Sequence, residues 1–241
     1  MGAVTIIQTT DLHGRLTMQI ASRLAAYKRR HDALLCDCGD ALGTPNYAPA
    51  IGVEKIATPM HRAHYDVMCM GNREYGLFRQ MTESKLKPFN FPVISSNLAV
   101  GTPGIECVQR SATFEHSGLS IGVWGLSPDM TPSGSLARRV SRVQFSPPTE
   151  TARKTVENLR QTCDIVILLL HWGHSMAEQT EFVENLTGVD LVLCGHMHVN
   201  AGSFEYINTT PLSRCGSHAR QAAILTRSDD GQWSQKLVEL S

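Results

Sequence analysis

Ile165-Val-Ile-Leu-Leu-Leu170 runs straight into His171-Trp-Gly-His174, and further on Asp190-Leu-Val-Leu193 runs into Cys194-Gly-His-Met-His198. A short aliphatic run bounded by polar residues reads as a strand buried on both faces. Between the two, Ala177–Thr187 reads as a helix that Gly188 stops. The unit is strand, helix, strand, and each strand delivers imidazoles at its end. In α/β folds the loops at strand C-termini form the crevice where ligands bind. The placement of these histidines is therefore as informative as their chemistry.

Working outward, the same pattern recurs. Val4–Gln8 reads as a strand followed by Asp11-Leu-His-Gly-Arg15, and Met18–His31 as a helix with a basic C-terminus. Ala33–Cys36 is a strand ending in Asp37-Cys-Gly-Asp40, and Ile51–His64 a helix. Asp66–Met70 is a strand ending in Gly71-Asn-Arg-Glu-Tyr-Gly76. Phe78–Lys87 is a helix closed by Pro88, and Phe91–Ser95 a strand. Cys107–Glu115 and Leu119–Gly125 predict a hairpin about Ser117-Gly118. Ser127–Ser135 is a loop and Pro148–Thr162 a helix. The tail, Ser203–Ser241, predicts three antiparallel strands with turns at Arg214–Ser217 and Asp229–Gly231. Alternating strands and helices, with antiparallel strands in the middle and at the end, predict mixed sheets with helices outside. With no repeat and no linker, residues 1–241 are expected to form one domain.

The chain has 241 residues, 42 % hydrophobic and 18 % charged, which is enough to bury a core. Lys+Arg and Asp+Glu both number 22. No basic excess is present to neutralise a nucleic-acid backbone, so no nucleic-acid partner is expected. The longest aliphatic run is far too short to span a membrane. The N-terminus lacks a basic region and a long apolar stretch, so no secretory signal or membrane partner is expected. Gly2 is followed by Ile6 rather than Ser or Thr, so the myristoylation pattern fails. Seven cysteines, mostly in apolar strands, read as buried free thiols of a reducing cytoplasm.

Five polar clusters thus follow five strands: Asp11/His13, Asp40, Asn72/Arg73, His171 and His196/His198. Each alone is weak, and together in this order they are a strong signal. Imidazole with carboxylate suits Mn, Zn or Fe, and an Asn carbonyl is a hard neutral ligand. Two cations about 3.5–4 Å apart need a bridging carboxylate. Asp40 is the candidate, because the preceding Gly39 allows close backbone approach. Two carboxylates and two divalent ions leave a surplus of two positive charges that a phosphate dianion would cancel. Such ions can also acidify a shared water, making hydroxide available near neutral pH as the attacking group.

These residues resemble the calcineurin-like metallophosphoesterases, and within them the catalytic domain of the 5'-nucleotidase group. The motifs are Thr10-Asp-Leu-His-Gly14, Cys38-Gly-Asp40, Gly71-Asn-Arg-Glu74, Leu170-His-Trp-Gly173 and Gly188-Val-Asp-Leu-Val-Leu-Cys-Gly-His-Met-His198, with Phe91-Pro-Val-Ile-Ser-Ser-Asn97 after the third. The resemblance covers essentially the whole chain. It implies a four-layer α/β/β/α sandwich of two mixed β-sheets flanked by helices. It implies one metal site from Asp11, His13, Asp40 and His198, and a second from Asp40, Asn72, His171 and His196. The implied activity is hydrolysis of a phosphoester of a small soluble substrate. Many 5'-nucleotidases carry a C-terminal domain that grips the nucleoside; this chain ends after the catalytic domain, so nucleotide specificity does not carry over.

Two positions depart from the family pattern. Its third motif is usually Gly-Asn-His-Glu with an Asp shortly after; here the His is Arg73 and the Asp position is Gly76. Arg can stabilise phosphoryl charge through its fork of donors but hardly gives up a proton. Arg73 is therefore a substrate-facing catalytic candidate, with an ion pair to Glu74 or Asp37 as the alternative. Arg at this place also occurs in pyrophosphate-cleaving relatives, so pyrophosphate or diester cleavage, or a metal-binding module without turnover, are the rival readings. His174 is a candidate proton donor or a surface residue. His218, in a Gly/Ser loop, and Asn72 are candidates to touch substrate. Trp172 stacks on a substrate ring or packs in the core, and Asp37 orients a ligand.

Overall fold

A computed structural model describes residues 4–49, 54–99, 105–141 and 143–240. In chain order the elements begin β1 (Val4–Thr9), α1 (Met18–His31), β2 (Leu34–Asp37), α2 (Ala57–Ala63), β3 (Val67–Cys69), α3 (Arg79–Leu86), β4 (Val93–Ile94) and β5 (Val108–Gln109). They continue with β6 (Ser111–His116), β7 (Leu119–Leu126), α4 (Leu136–Ser141), α5 (Pro148–Leu159), β8 (Ile165–Leu170), α6 (Met176–Glu184) and β9 (Leu191–Cys194). Four strands close the chain: β10 (Ser203–Ile207), β11 (Thr210–Arg214), β12 (Gln221–Arg227) and β13 (Trp233–Glu239).

The strands form two mixed sheets. One has the order β13-β12-β1-β2-β3-β4-β5 and the other β10-β11-β9-β8-β7-β6. The first is parallel from β1 to β5, with antiparallel β12 and β13 on one side. The second is parallel through β7, β8, β9 and β11, with antiparallel β6 and β10 at its edges. Side-chain alternation separates the layers. Ile6, Cys36, Ile165, Ile167 and Leu169 meet in one core between the sheets. Their neighbours Ile7 and Leu35 face outward onto Leu24 of α1 and Met60 of α2. Val166, Leu168 and Leu170 face the other way, onto Val156 of α5 and Val183 of α6. Three cores between four layers give the α/β/β/α sandwich, and they explain why β8 is aliphatic at every position.

The tail differs from expectation. It forms four strands, not three, and the first two join the second sheet. Asn208-Thr209 makes a hairpin turn between β10 and β11, and β11 lies parallel to β9. The stretch Arg214–Ser217, expected as a hairpin turn, carries the chain from one sheet to the other. Thr210-Pro-Leu-Ser-Arg214 is wholly buried although it holds one large aliphatic residue, so apolar patterning could not reveal it. The turn near Asp229–Gly231 stands, joining β12 to β13. The expected arm Cys107–Glu115 splits between sheets, with Val108–Gln109 in the first and Ser111–His116 in the second. Helix α2 begins at Ala57 rather than Ile51; residues 51–53 lie outside those described. Helix α4 was not anticipated.

A candidate metal centre between the two sheets

The ends of β1, β2 and β3 in one sheet and of β8 and β9 in the other meet at one place. Asp11 N–H donates to the Gly39 carbonyl, His13 N–H to the Asp40 carbonyl, and Gly195 N–H to the Leu170 carbonyl. These bonds lock the strand-ending loops together. Asp11, His13, Asp40, His196, His198 and His218 all have positive φ. Asp and His are among the non-glycine residues that tolerate this region, and the turn it makes brings each side chain back over its strand end. A Cβ on Gly39, whose φ is +102°, would lie 2.8 Å from His171 Nδ1, so the approach expected of this glycine is used to seat His171.

One donor atom from each of Asp11, His13, Asp40 and His198 lies within 4.8 Å of the others. His198 Nε2 is 3.1 Å from Asp11 Oδ1 and 2.8 Å from His13 Nε2. On the other side of Asp40, its Oδ1 is 3.5 Å from His171 Nε2, and the rings of His171 and His196 are 4.9 Å apart. His171 Nδ1 bonds the Cys38 carbonyl at 2.7 Å, which leaves Nε2 as the atom facing the cluster. Asp11 Oδ1, Asn72 Oδ1 and His171 Nε2 are buried without a hydrogen-bond partner. Buried polar atoms are almost always paired. Three orphans that are all metal-ligand types, two carbonyl-type oxygens and an imidazole nitrogen, fit a divalent cation.

Electrostatics agree. Burial raises the Asp40 and Asp11 carboxyls, but the histidines beside them, His171 for Asp40 and His198 for Asp11, outweigh it and hold both below the usual range. Burial lowers His13 to about 4 with help from Arg73, and lowers His196 to about 4 with help from His171. His171 goes the other way: burial opposes its charge, but Asp40 and Asp11 lift it to about 10. The carboxylates are thus ionised and His13 and His196 neutral, as metal ligation requires.

Supporting residues surround the cluster. Glu74 is fully buried, and its carboxylate accepts the N–H groups of Asp40, Ala41, Leu42 and Gly71 at 2.7–3.3 Å. It ties the Asp40 loop to the Asn72 loop; the sequence suggested it only as an ion-pair partner of Arg73. Gln179, from α6, donates to the carbonyls of Trp172 and Gly195 and joins the two histidine loops. Nothing in the local sequence marks it. Asp37 accepts from Thr9 Oγ1 and Gly39 N, consistent with a role in orienting the loop.

The ion pairs considered for Arg73 do not form, because Glu74 and Asp37 are occupied by these donors. Arg73 instead gives its backbone N–H to Asp40 Oδ1 at 2.8 Å and Nη1 to the Gly43 carbonyl at 3.1 Å. His218 joins the cluster: its ring lies 4.9 Å from that of His13 and 5.5 Å from that of His198. Its backbone N–H donates to the Asp11 carbonyl, and Ser217 Oγ bonds its Nδ1 at 2.8 Å. His174 is exposed at the start of α6, where its backbone N–H donates to Glu178. Trp172 turns away to pack on Phe182 at 5.4 Å, the core alternative.

The profile of the calcineurin-like phosphoesterase family matches residues 4–200. The chain belongs to this family. Its members are phosphoesterases, and the seven candidate ligands from Asp11 to His198 all lie within the matched residues. The chain is 24 % identical to a 2',3'-cyclic-nucleotide 2'-phosphodiesterase/3'-nucleotidase of Salmonella typhimurium, over 95 % of this chain and 44 % of that protein. It is 26 % identical to a 5'-nucleotidase of Vibrio vulnificus over 71 % of this chain and 34 % of that one. The chain therefore spans less than half the length of these relatives. The fold superposes on a 5'-nucleotidase precursor of Thermus thermophilus with a TM-score of 0.76 at 20 % identity, over 99 % of this chain and 54 % of that one. No helix among the described residues is long and apolar enough to cross a membrane.

Proposed function

We propose that this calcineurin-like phosphoesterase is a two-metal hydrolase of small phosphorylated substrates. Asp11, His13, Asp40 and His198 would hold one divalent ion, and Asp40, Asn72, His171 and His196 the other. The observation that carries the reading is the set of unpartnered buried ligand atoms, Asp11 Oδ1, Asn72 Oδ1 and His171 Nε2, in the loops around Asp40. Mn, Zn or Fe suits this donor set. When bound, such ions polarise a phosphoryl oxygen and acidify a water.

The protein's own groups do the rest. Arg73 keeps guanidinium N–H groups free after bonding Gly43, and these can neutralise a phosphoryl oxygen as it gains charge. His218, its Nδ1 bonded to Ser217 and its ring beside that of His13, would use its other nitrogen for a substrate oxygen. The single unit 1–241 and a cytoplasmic home are part of the reading; all seven cysteines are free and six are buried, which suits a reducing compartment.

Arg73 favours a second reading on the same site. It supplies charge but not a proton, so substrates whose leaving group departs as a stable anion, such as pyrophosphate-linked nucleotides, should suit it best. The test is a panel of 5'-nucleotides, cyclic nucleotides, sugar phosphates and pyrophosphates, assayed with Mn²⁺ and again with chelator. Chelator-sensitive turnover of at least one phosphoester is expected. Turnover of none, with metal bound, would mean a binding module.

A further inference from the structure

Lys85 in α3 is completely buried, yet it forms no ion pair among the described residues. Its Nζ donates instead to the carbonyls of Pro45 at 3.1 Å, Arg73 at 2.7 Å and Tyr75 at 2.9 Å. An ammonium has three donors, so all are spent on two loops that meet beside the metal cluster. One turn earlier, Thr82 Oγ1 accepts the Gly76 N–H at 2.9 Å. Helix α3 comes this close only because residue 76 is glycine. A Cβ there would lie 2.4 Å from Met81 Cβ and 2.8 Å from Thr82 N.

The two departures from the family motif, Arg73 and Gly76, are therefore linked by one helix: α3 packs on Gly76, and its Lys85 bonds the Arg73 carbonyl. Where the motif expects an aspartate, the helix occupies the space, and the helix brings Lys85 beneath residue 73. Burial disfavours the Lys85 ammonium, and the carboxylates of Glu74, Glu54 and Asp40 offset this only through space, without a direct ion pair; an apolar side chain of similar length would fill the site at lower cost. What the ammonium adds is direction. It fixes the Arg73 carbonyl while Asp40 fixes the Arg73 N–H, so the backbone is held on both sides and only the side-chain torsions remain.

We propose that Lys85 is a positioning residue for Arg73, holding its backbone so that the guanidinium meets the transferring phosphoryl group in one orientation. The inference rests on the substrate-facing reading of Arg73. The experiment is a double-mutant cycle on the metal-loaded protein with 4-nitrophenyl phosphate: wild type, Arg73→Ala, Lys85→Met and the double variant. Lys85→Met should lower kcat by roughly 10–100-fold, as misplacement of a reacting group does, with little change in KM or bound metal. In the Arg73→Ala background the same substitution should cost less than about twofold. An equal loss in both backgrounds, or none in the wild type, overturns the proposal. If Arg73→Ala alone has no effect, the reading of Arg73 fails first and this inference with it, which is a separate outcome. Should Lys85→Met not fold, Thr82→Val, which frees the Gly76 amide of the same loop, takes its place in the cycle with the same expected non-additivity.

Discussion

The two sheets contribute unlike chemistry to one centre. The seven-stranded sheet sends Asp11, Asp40 and Asn72, the oxygen donors, with His13. The six-stranded sheet sends only imidazoles, His171, His196 and His198. In the proposed site the carboxylates would supply the negative charge that draws a divalent ion in, and the imidazoles directed donors; His196, held near 4, gives up no proton on binding, whereas His171, held near 10, must. Neither sheet holds all the candidate ligands, so on the proposed reading the packing of one on the other is a condition for binding. The buried Cys38 carbonyl that bonds His171 is where that dependence is most literal, since it crosses from the first sheet to the second.

Breaking the shared point should have the largest effect. Asp40→Asn removes an anion facing donors of both sheets, and activity should fall by more than about 10³-fold, beyond the 10–100-fold typical of a lost supporting partner. His171→Asn, on the imidazole side, should fall comparably; a mild loss in one and a severe loss in the other would show that the two sides are not equal partners. Next is Arg73. Arg73→Ala should cost about 10²–10³ in rate, as loss of one transition-state donor does. Arg73→His should flatten the dependence of rate on leaving-group pKa by adding a titratable donor. A rate series over aryl and alkyl phosphates measures both, and an unchanged slope would remove Arg73 from the reacting group.

Smaller still is the effect of Glu74, which serves the oxygen-donor side alone. Glu74→Gln keeps the shape but turns one acceptor into a donor facing backbone amides, so metal affinity should drop by about 10–100-fold. Isothermal titration with Mn²⁺ reads it. The gentlest probe is pH. Free of metal, His171 keeps its proton up to about 10 because Asp40 and Asp11 favour it, and a cation must displace that proton. Apparent affinity should therefore rise at least about tenfold per pH unit above neutrality, more steeply while His198, also raised by Asp11, keeps its proton, and level off above about 10. His13 and His196, held near 4, add no slope there. A flat profile would mean that His171 is already neutral.

Much of this was legible in the sequence for a physical reason. Strand ends are marked by aliphatic runs giving way to polar residues, and those ends are where the donors sit, so Asp11, Asp40, His171 and His196 could be grouped from their spacing alone. The layer order needed the alternation of Ile6 against Ile7 and Ile167 against Leu168, which an all-aliphatic strand conceals. Strand β11 was hidden because burial there rests on Ser213 and Arg214 rather than on apolar side chains. Glu74, Gln179 and Lys85 act on backbone groups brought together by the fold, and no local pattern records which carbonyl or amide a buried side chain will meet. The ion-pair alternative for Arg73, by contrast, was visible in the sequence and does not form, because Glu74 and Asp37 direct their oxygens to other donors; its substrate-facing role is the proposal that the rate series tests.

On the proposed reading, Asp40 of the first sheet serves ions on both of its sides. Counting divalent ions per chain by elemental analysis, in the wild type and in Asp40→Asn, tests it most directly. Two ions are expected in the wild type and fewer in the variant. A single ion in the wild type, or two tightly held ions in Asp40→Asn, would contradict it.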